Sequence, residues 1–153
     1  LRPGGRVRHR HHGQAGGLDV FADPDDVLQL LLNLVLNSIQ VMKGAGKDLR
    51  IAAYAVDRDN PLRYSTSKEE DFLHSAPKLS FVAVEVRDSG PGIPPDRIQH
   101  VFEPFYTTAS DGASAGLGLP ICKEKMERNS GHIDIVTSSK QGTTVRILVP
   151  RPT

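Results

Sequence analysis

The segment "DPDDVLQLLLNLVLNSIQVMKG" carries apolar side chains at almost every angle around a helix, with only a few polar residues to interrupt it. Pro24 near its start, the acids Asp23, Asp25 and Asp26 around its first turn, and Gly44 after its last periodic residue frame one long helix. A helix that is apolar nearly all round is expected to be buried against a sheet instead of lying on the surface. The fold must therefore supply a covering layer of strands.

The rest of the chain provides them. "RVRHRHHGQAGGLDVFAD" reads as two edge strands joined by a turn, "LRIAAYAVD" and "LSFVAVEVR" as a pair, and "HIDIVTSS" and "TTVRILVP" as a second pair around Gly142. Between the first pair lies a polar loop of unusual length, "DRDNPLRYSTSKEEDFLHSAPK". A short helical turn is expected near Asp96 to Val101, and another helix running to about Asn129. The expected fold class is α/β: a two-layer sandwich, helices on one face of a mixed, mostly antiparallel sheet.

At 153 residues, 38% apolar and 24% charged, residues 1–153 fit one domain with a real core. Nineteen basic and eighteen acidic residues give a formal net charge of +1, so no bulk field draws the chain to nucleic acid or an anionic membrane. Any ligand must be read from a local site. Cys122 is the single cysteine, which permits no internal disulfide and suits a reducing, cytoplasmic setting. No apolar run approaches the roughly 20 residues of a membrane span. The chain opens on "LRPGG" rather than a methionine or a signal peptide, and is read as a piece of a longer protein.

Several local features bear on chemistry. Asn33 and Asn37 lie one helical turn apart, about 40° from each other around the axis, in an otherwise apolar segment. Each amide either satisfies neighbouring backbone or offers an oxygen to Mg²⁺. Gly116 and Gly118 open the later helix with bare backbone N–H groups that favour a phosphate. "GAGKD" lacks the GxxxxGK[ST] spacing of a P-loop and is read as a helix stop. His9, His11 and His12 have no Cys or carboxylate companions nearby and read as a solvated strand, not a metal site. "DSGPGIPP" ends an apolar strand with one acid and a stiff turn: Gly90 and Gly92 allow close backbone approach, while Pro91, Pro94 and Pro95 restrict it.

In order, "NLVLN", "DSGPGIPP", "FEPFYTT", "GLGL" and "QGTT" resemble the catalytic ATP-binding domain of sensor histidine kinases, within the wider gyrase, Hsp90, kinase and MutL ATPase (GHKL) superfamily. The match covers about residues 17–149. It implies the Bergerat α/β sandwich, with ATP between helix and lid and Mg²⁺ as cofactor. By resemblance Asp88 accepts a hydrogen bond from the adenine amino group, with Gly90, Gly92 and Ile93 in the same box. Asn37 matches the Mg²⁺ ligand, and Asn33 sits where hydrolytic relatives carry a Glu that activates water. An amide has no useful basicity near neutral pH, so hydrolysis is disfavoured and transfer to a histidine favoured. Phe102 and Phe105 match the aromatic box that anchors the lid, though by composition they also suit a core, and Thr107 and Thr108 follow them. Gly116, Leu117, Gly118 and Leu119 match the glycine box, and Thr143 and Thr144 the late box near the phosphates, where a plain strand start is the other reading.

There are departures. Ala109 follows the threonines where relatives often have Lys, Ser114 occupies the first glycine position, and no Lys or Arg occurs between Glu103 and Cys122. Neutralising the γ-phosphate would then fall to Mg²⁺, helix-end N–H groups, or a cation such as Lys43 or Arg97. Gln40 and "NSIQVM" resemble the nitrogen-regulation type of kinase. None of the six histidines lies in an acceptor pattern, so the resemblance implies an acceptor-His dimerisation domain, expected before Leu1, and a response regulator downstream. The full-length protein is then expected to dimerise while this fragment stays monomeric. Two other readings remain open: a nucleotide-binding switch without catalysis, and a serine kinase of the anti-sigma type, whose known members carry Glu at the Asn33 position.

Overall fold

The computed structural model describes residues 6–9, 17–43, 47–77, 79–104 and 118–152. Its elements run β1 (Arg6–His9), β2 (Leu18–Phe21), α1 (Pro24–Val41), β3 (Leu49–Val56), α2 (Ser67–Ser75), β4 (Ser80–Asp88), α3 (Pro95–Ile98), α4 (Gly118–Arg128), β5 (His132–Ser139) and β6 (Gly142–Arg151). β1 and β2 form an antiparallel two-stranded sheet, and the other four strands form a sheet in the order β3-β4-β6-β5. Every pairing in the larger sheet is antiparallel, in line with the mostly antiparallel sheet expected. β5 and β6 are joined by a short hairpin at Lys140 and Gln141, β3 and β4 through the long segment that carries α2, and β4 and β6 pair without being consecutive in the chain.

α1 starts as its sequence dictates. Asp23 is the N-cap, its carboxylate accepting from the Asp25 and Asp26 amides at 2.9 and 3.4 Å, and Pro24 sits in the first turn. The expected stop at Gly44 lies outside the described residues; the helix is capped at Met42. α1 and α4 pack antiparallel on one face of the sheet. Leu30, Leu34, Cys122 and Met126 meet Val82, Val86, Ile147 and Val149 in the main core. Burying each large aliphatic side chain there contributes about 1.5–3 kcal/mol.

Two expectations need correction. α1 is not buried all round: Leu28, Leu32, Leu36 and Ile39 are each about half exposed. The sheet and α4 cover two sides of the helix, and no third described layer reaches the remaining stripe. The polar 57–78 loop is not all coil either. Thr66 and Glu69 form a reciprocal capping box that starts α2, and Phe72 and Leu73 pack on Val56, Phe81, Ala83 and Leu148 on the sheet face away from α1. The sandwich of helices on sheet is as expected, with α2 added to the other face.

Candidate functional site

The α1–α4 pair is fixed first at the end remote from the site. Asp26, near the start of α1, accepts from Lys125, Arg128 and Asn129 at the end of α4, with Lys125 Nζ at 3.3 Å and Asn129 Nδ2 at 2.9 Å. The Arg128 guanidinium above all holds the Asp26 carboxyl down at about 2. Asn129 Oδ1 in turn accepts from the Asp23 amide at 2.8 Å.

Moving along the antiparallel helices, Cys122 donates to the Leu30 carbonyl at 3.9 Å and lies beside the Asn33 side chain. Burial pushes the Cys122 thiol up to about 11, so it stays neutral. One turn further, Asn37 meets Gly118 at the start of α4. A Cβ on Gly118 would lie 2.8 Å from Asn37 Nδ2 and 3.1 Å from Oδ1. Gly118 is thus a close-approach glycine, and it sets the carboxamide of Asn37 against the opening of α4. Leu119, beside it, packs on the main core. The two asparagines therefore have different surroundings: Asn33 lies beside a thiol, while Asn37 faces bare backbone.

Asp88 closes β4. The alternation that sends Val82, Val84 and Val86 into the helix-side core puts Asp88 on the same face. It is 6% exposed. Its Oδ1 accepts from the Gly90 amide at 2.9 Å, and among the described residues its Oδ2 receives only a long 3.4 Å contact from Ser38 Oγ. A buried carboxylate has about four acceptor sites, so capacity remains for a donor brought by a ligand. The following turn is held on both sides. Ser89 Oγ accepts from the Lys47 and Asp48 amides at 3.0 and 2.9 Å. Gly92 has φ +78° and passes so close to β5 that a Cβ would sit 2.0 Å from the Ser139 carbonyl oxygen. Ile93 donates its amide to Ser138 Oγ at 2.6 Å.

Thr143 pairs directly with Asp88 across β4–β6, and with Ser138 across β5–β6. These three residues form one polar rung at the end of the apolar core. The rung puts Thr143 beside Asp88, whereas the resemblance of the late box implied a place near the phosphates. Thr144, its neighbour, is buried and points to the other face. Gly142 makes the rung possible: at φ +137° its Cα approaches β4 so closely that a Cβ would fall 1.9 Å from the Asp88 carbonyl oxygen.

The structure thus places Asn33, Asn37 and Gly118 along the α1–α4 seam, and Asp88, Gly90, Gly92, Ile93 and Thr143 together at the end of the sheet, with Ser38 of α1 reaching Asp88. Phe102 packs on the main core as a half-buried side chain, which fits the core reading. Phe105, Thr107, Thr108, Gly116 and Leu117 lie outside the described residues, as do His11, His12, Ala109 and Ser114. Lys43 and Arg97 are both exposed. No cluster of three or more metal-ligating side chains occurs among the described residues. Ser38 and Ser138 were missed. Ser38 follows Asn37 directly, and counting outward from a Lys140–Gln141 turn would have set Ser138 opposite Thr143.

Comparisons with known proteins agree with this geometry. A family model described as "Histidine kinase-, DNA gyrase B-, and HSP90-like ATPase" matches residues 22–153. The sensory histidine kinase/phosphatase NtrB of Rhizobium meliloti (strain 1021) is 32% identical over 147 residues, 95% of this chain and 35% of that protein. The sensor protein kinase PilS of Pseudomonas aeruginosa is 33% identical over 138 residues, 90% of this chain and 22% of that protein. The chain therefore spans about a third or less of these relatives. Among solved structures, the catalytic domain of histidine kinase ThkA superposes with a TM-score of 0.63 at 27% identity, covering 90% of this chain and 76% of that one. Full-length ShkA in complex with AMPPNP gives 0.63 at 26% identity, covering 89% of this chain and 24% of that one.

Proposed function

The chain belongs to the histidine kinase-, DNA gyrase B- and HSP90-like ATPase family, and from that premise we propose that it is the ATP-binding catalytic domain of a sensor histidine kinase. It gives the γ-phosphoryl group of ATP to a histidine on a separate helical dimerisation domain, and that histidine passes it to an aspartate of a response regulator. The observation that carries the reading is the buried Asp88 carboxylate with acceptor capacity unfilled. Adenine offers a 6-amino donor there; guanine would bring an oxygen acceptor against a carboxylate and leave both unpaired. The AMPPNP bound by ShkA supports a nucleotide on this fold.

Asn37 would hold Mg²⁺ through its amide oxygen, a donor type that a hard cation prefers, and the bare backbone of Gly118 leaves room beside it. When bound, Mg²⁺ neutralises and aligns phosphate oxygens. Asn33 cannot serve as a base toward water, and beside the neutral Cys122 thiol it forms an uncharged wall of the site. Positioning and charge neutralisation then direct the phosphoryl group to an imidazole, which needs no base. We assign residues 1–153 to one ATP-binding unit acting in the cytoplasm, in keeping with a lone, buried Cys122; no helix among the described residues is long and apolar enough to cross a membrane.

The absence of Lys and Arg between Glu103 and Cys122 favours one second reading, a nucleotide-binding switch without catalysis. Incubating the chain with Mg²⁺-ATP and a purified acceptor-His domain separates the two. The kinase reading predicts phosphohistidine on the acceptor, negligible ATP turnover by the chain alone, and loss of transfer in Asn37→Ala with the fold intact. Tight ATP binding without any transfer establishes the switch instead. Asn33→Glu is expected to add a small, measurable hydrolysis.

A further inference from the structure

We infer that Ser138 is a positioning residue for base recognition, fixing both the turn after Asp88 and the hydroxyl of Thr143; this deepens the nucleotide reading above and rests on it. The rung Asp88, Thr143, Ser138 spans three adjacent strands on one face. Thr143 in its middle is 6% exposed and lies with its Oγ1 3.2 Å from Ser138 Oγ. On its other side Ser138 closes on the turn: its Oγ accepts from the Ile93 amide at 2.6 Å and is 3.3 Å from the Ile93 carbonyl oxygen.

A hydroxyl has one hydrogen to give. If Ser138 donates to the Ile93 carbonyl, Thr143 donates to Ser138 and shows its lone pairs to the Asp88 side. If Ser138 donates to Thr143, the Thr143 hydrogen is free for a ligand. In both states Ser138 decides whether the group beside Asp88 is a donor or an acceptor. It is also the one side chain among the described residues that bonds Ile93, where Gly92 already presses on the Ser139 carbonyl. Without it the turn keeps its backbone contact but loses the tie that sets its height over the rung. A bond that served only to hold the turn would affect stability and all nucleotides alike. A bond that orients Thr143 must also affect which base is preferred.

The test is calorimetry of the whole chain with Mg²⁺-ATP and Mg²⁺-GTP, alongside thermal unfolding. Ser138→Ala is expected to weaken ATP binding roughly fivefold to tenfold, the worth of about one hydrogen bond, and to shrink the ATP-over-GTP preference by at least about threefold. Ser138→Thr, which keeps the hydroxyl, should restore both to within about twofold, and Ser139→Ala, whose hydroxyl among the described residues bonds Gln141 in the turn, should change neither. Should Ser138→Ala fail to fold, Ser138→Cys keeps the size while weakening the bond and must show the same loss of preference. A wild-type chain that prefers ATP, with Ser138→Ala of unchanged preference, overturns this inference alone. A wild-type chain that does not prefer ATP overturns the nucleotide reading and this inference together.

Discussion

β4 and β6 carry buried polar clusters on both faces, and the two clusters are built to opposite rules. On the α2 face the buried charges meet one another, although Arg146 Nη2, 2.8 Å from Glu85, makes an ion pair without a well-formed hydrogen bond. Arg146, fully buried, donates to both oxygens of Glu69 at 3.0 and 3.1 Å, to Glu85 at 2.9 Å and to the Tyr64 carbonyl at 3.1 Å, while Tyr54 donates to Glu85 at 2.7 Å. On the α1 face Asp88 is equally hidden, yet it has one firm partner and one long one among the described residues. A closed network lowers the energy of the fold without a ligand; an open one leaves acceptor capacity that a ligand can fill. Similar burial therefore accompanies a closed network in one case and a proposed binding residue in the other, and the difference lies in the hydrogen-bond count.

The comparison is broken most severely at Arg146. Arg146→Met should cost about 3–5 kcal/mol in urea unfolding, because Glu69 remains as a buried acid and Glu85 as a partly buried one without their cation. Adenine preference in the surviving folded fraction should stay as in the wild type, since the lost groups are on the far face. Gly142→Ala comes next. The new Cβ must displace the Asp88 carbonyl, and a backbone forced from its φ of +137° costs on the order of 1–3 kcal/mol. Here, unlike at Arg146, nucleotide affinity should fall together with stability, because the displaced carbonyl belongs to Asp88, the residue proposed to read the base.

Asp26 offers a second closed cluster, on the helix side, and a test by pH. Its folded pKa is depressed, so the stabilisation is present above the usual carboxylate value of 3.8 and is lost as pH falls through about 2. Asp26→Asn should be less stable than wild type by about 1–2 kcal/mol at neutral pH, discounted for the exposure of Arg128, and the gap should narrow in urea titrations between pH 4 and pH 2. The smallest effect on stability, about 0.5 kcal/mol, is expected for Gly118→Ala, where the methyl group needs only to push aside the end of the Asn37 side chain. Its effect on Mg²⁺ dependence of ATP binding should be much larger than its effect on melting.

The open cluster was far more legible in the sequence than the closed one. Asp88, Gly90 and Gly92 stand together in "DSGPGIPP", and strand alternation alone turns Asp88 toward the core. The glycines show why the backbone comes close before any partner is known. Arg146 and Glu69, by contrast, are far apart in the chain, and nothing in "TTVRILVP" tells a buried arginine from a solvated one. α2 escaped because Phe72 and Leu73 are too few for a helical period, although the Thr66-to-Glu69 capping box was there to be read. The exposed stripe of Leu28, Leu32 and Leu36 escaped for the reverse reason: an apolar surface was taken to require a cover, which the sheet and α4 supply on two sides only.

The central claim is that Asp88 is left open for an adenine amino group. Calorimetric titration of the wild-type chain and of Asp88→Ala with Mg²⁺-ATP and Mg²⁺-GTP tests it most directly. The account predicts that wild type binds ATP at least roughly tenfold more tightly than GTP, and that Asp88→Ala loses about 1.5–3 kcal/mol of ATP binding, and the preference with it, while melting as wild type does. Equal affinity of the wild type for ATP and GTP, or an Asp88→Ala chain that binds ATP as tightly as wild type, would contradict it.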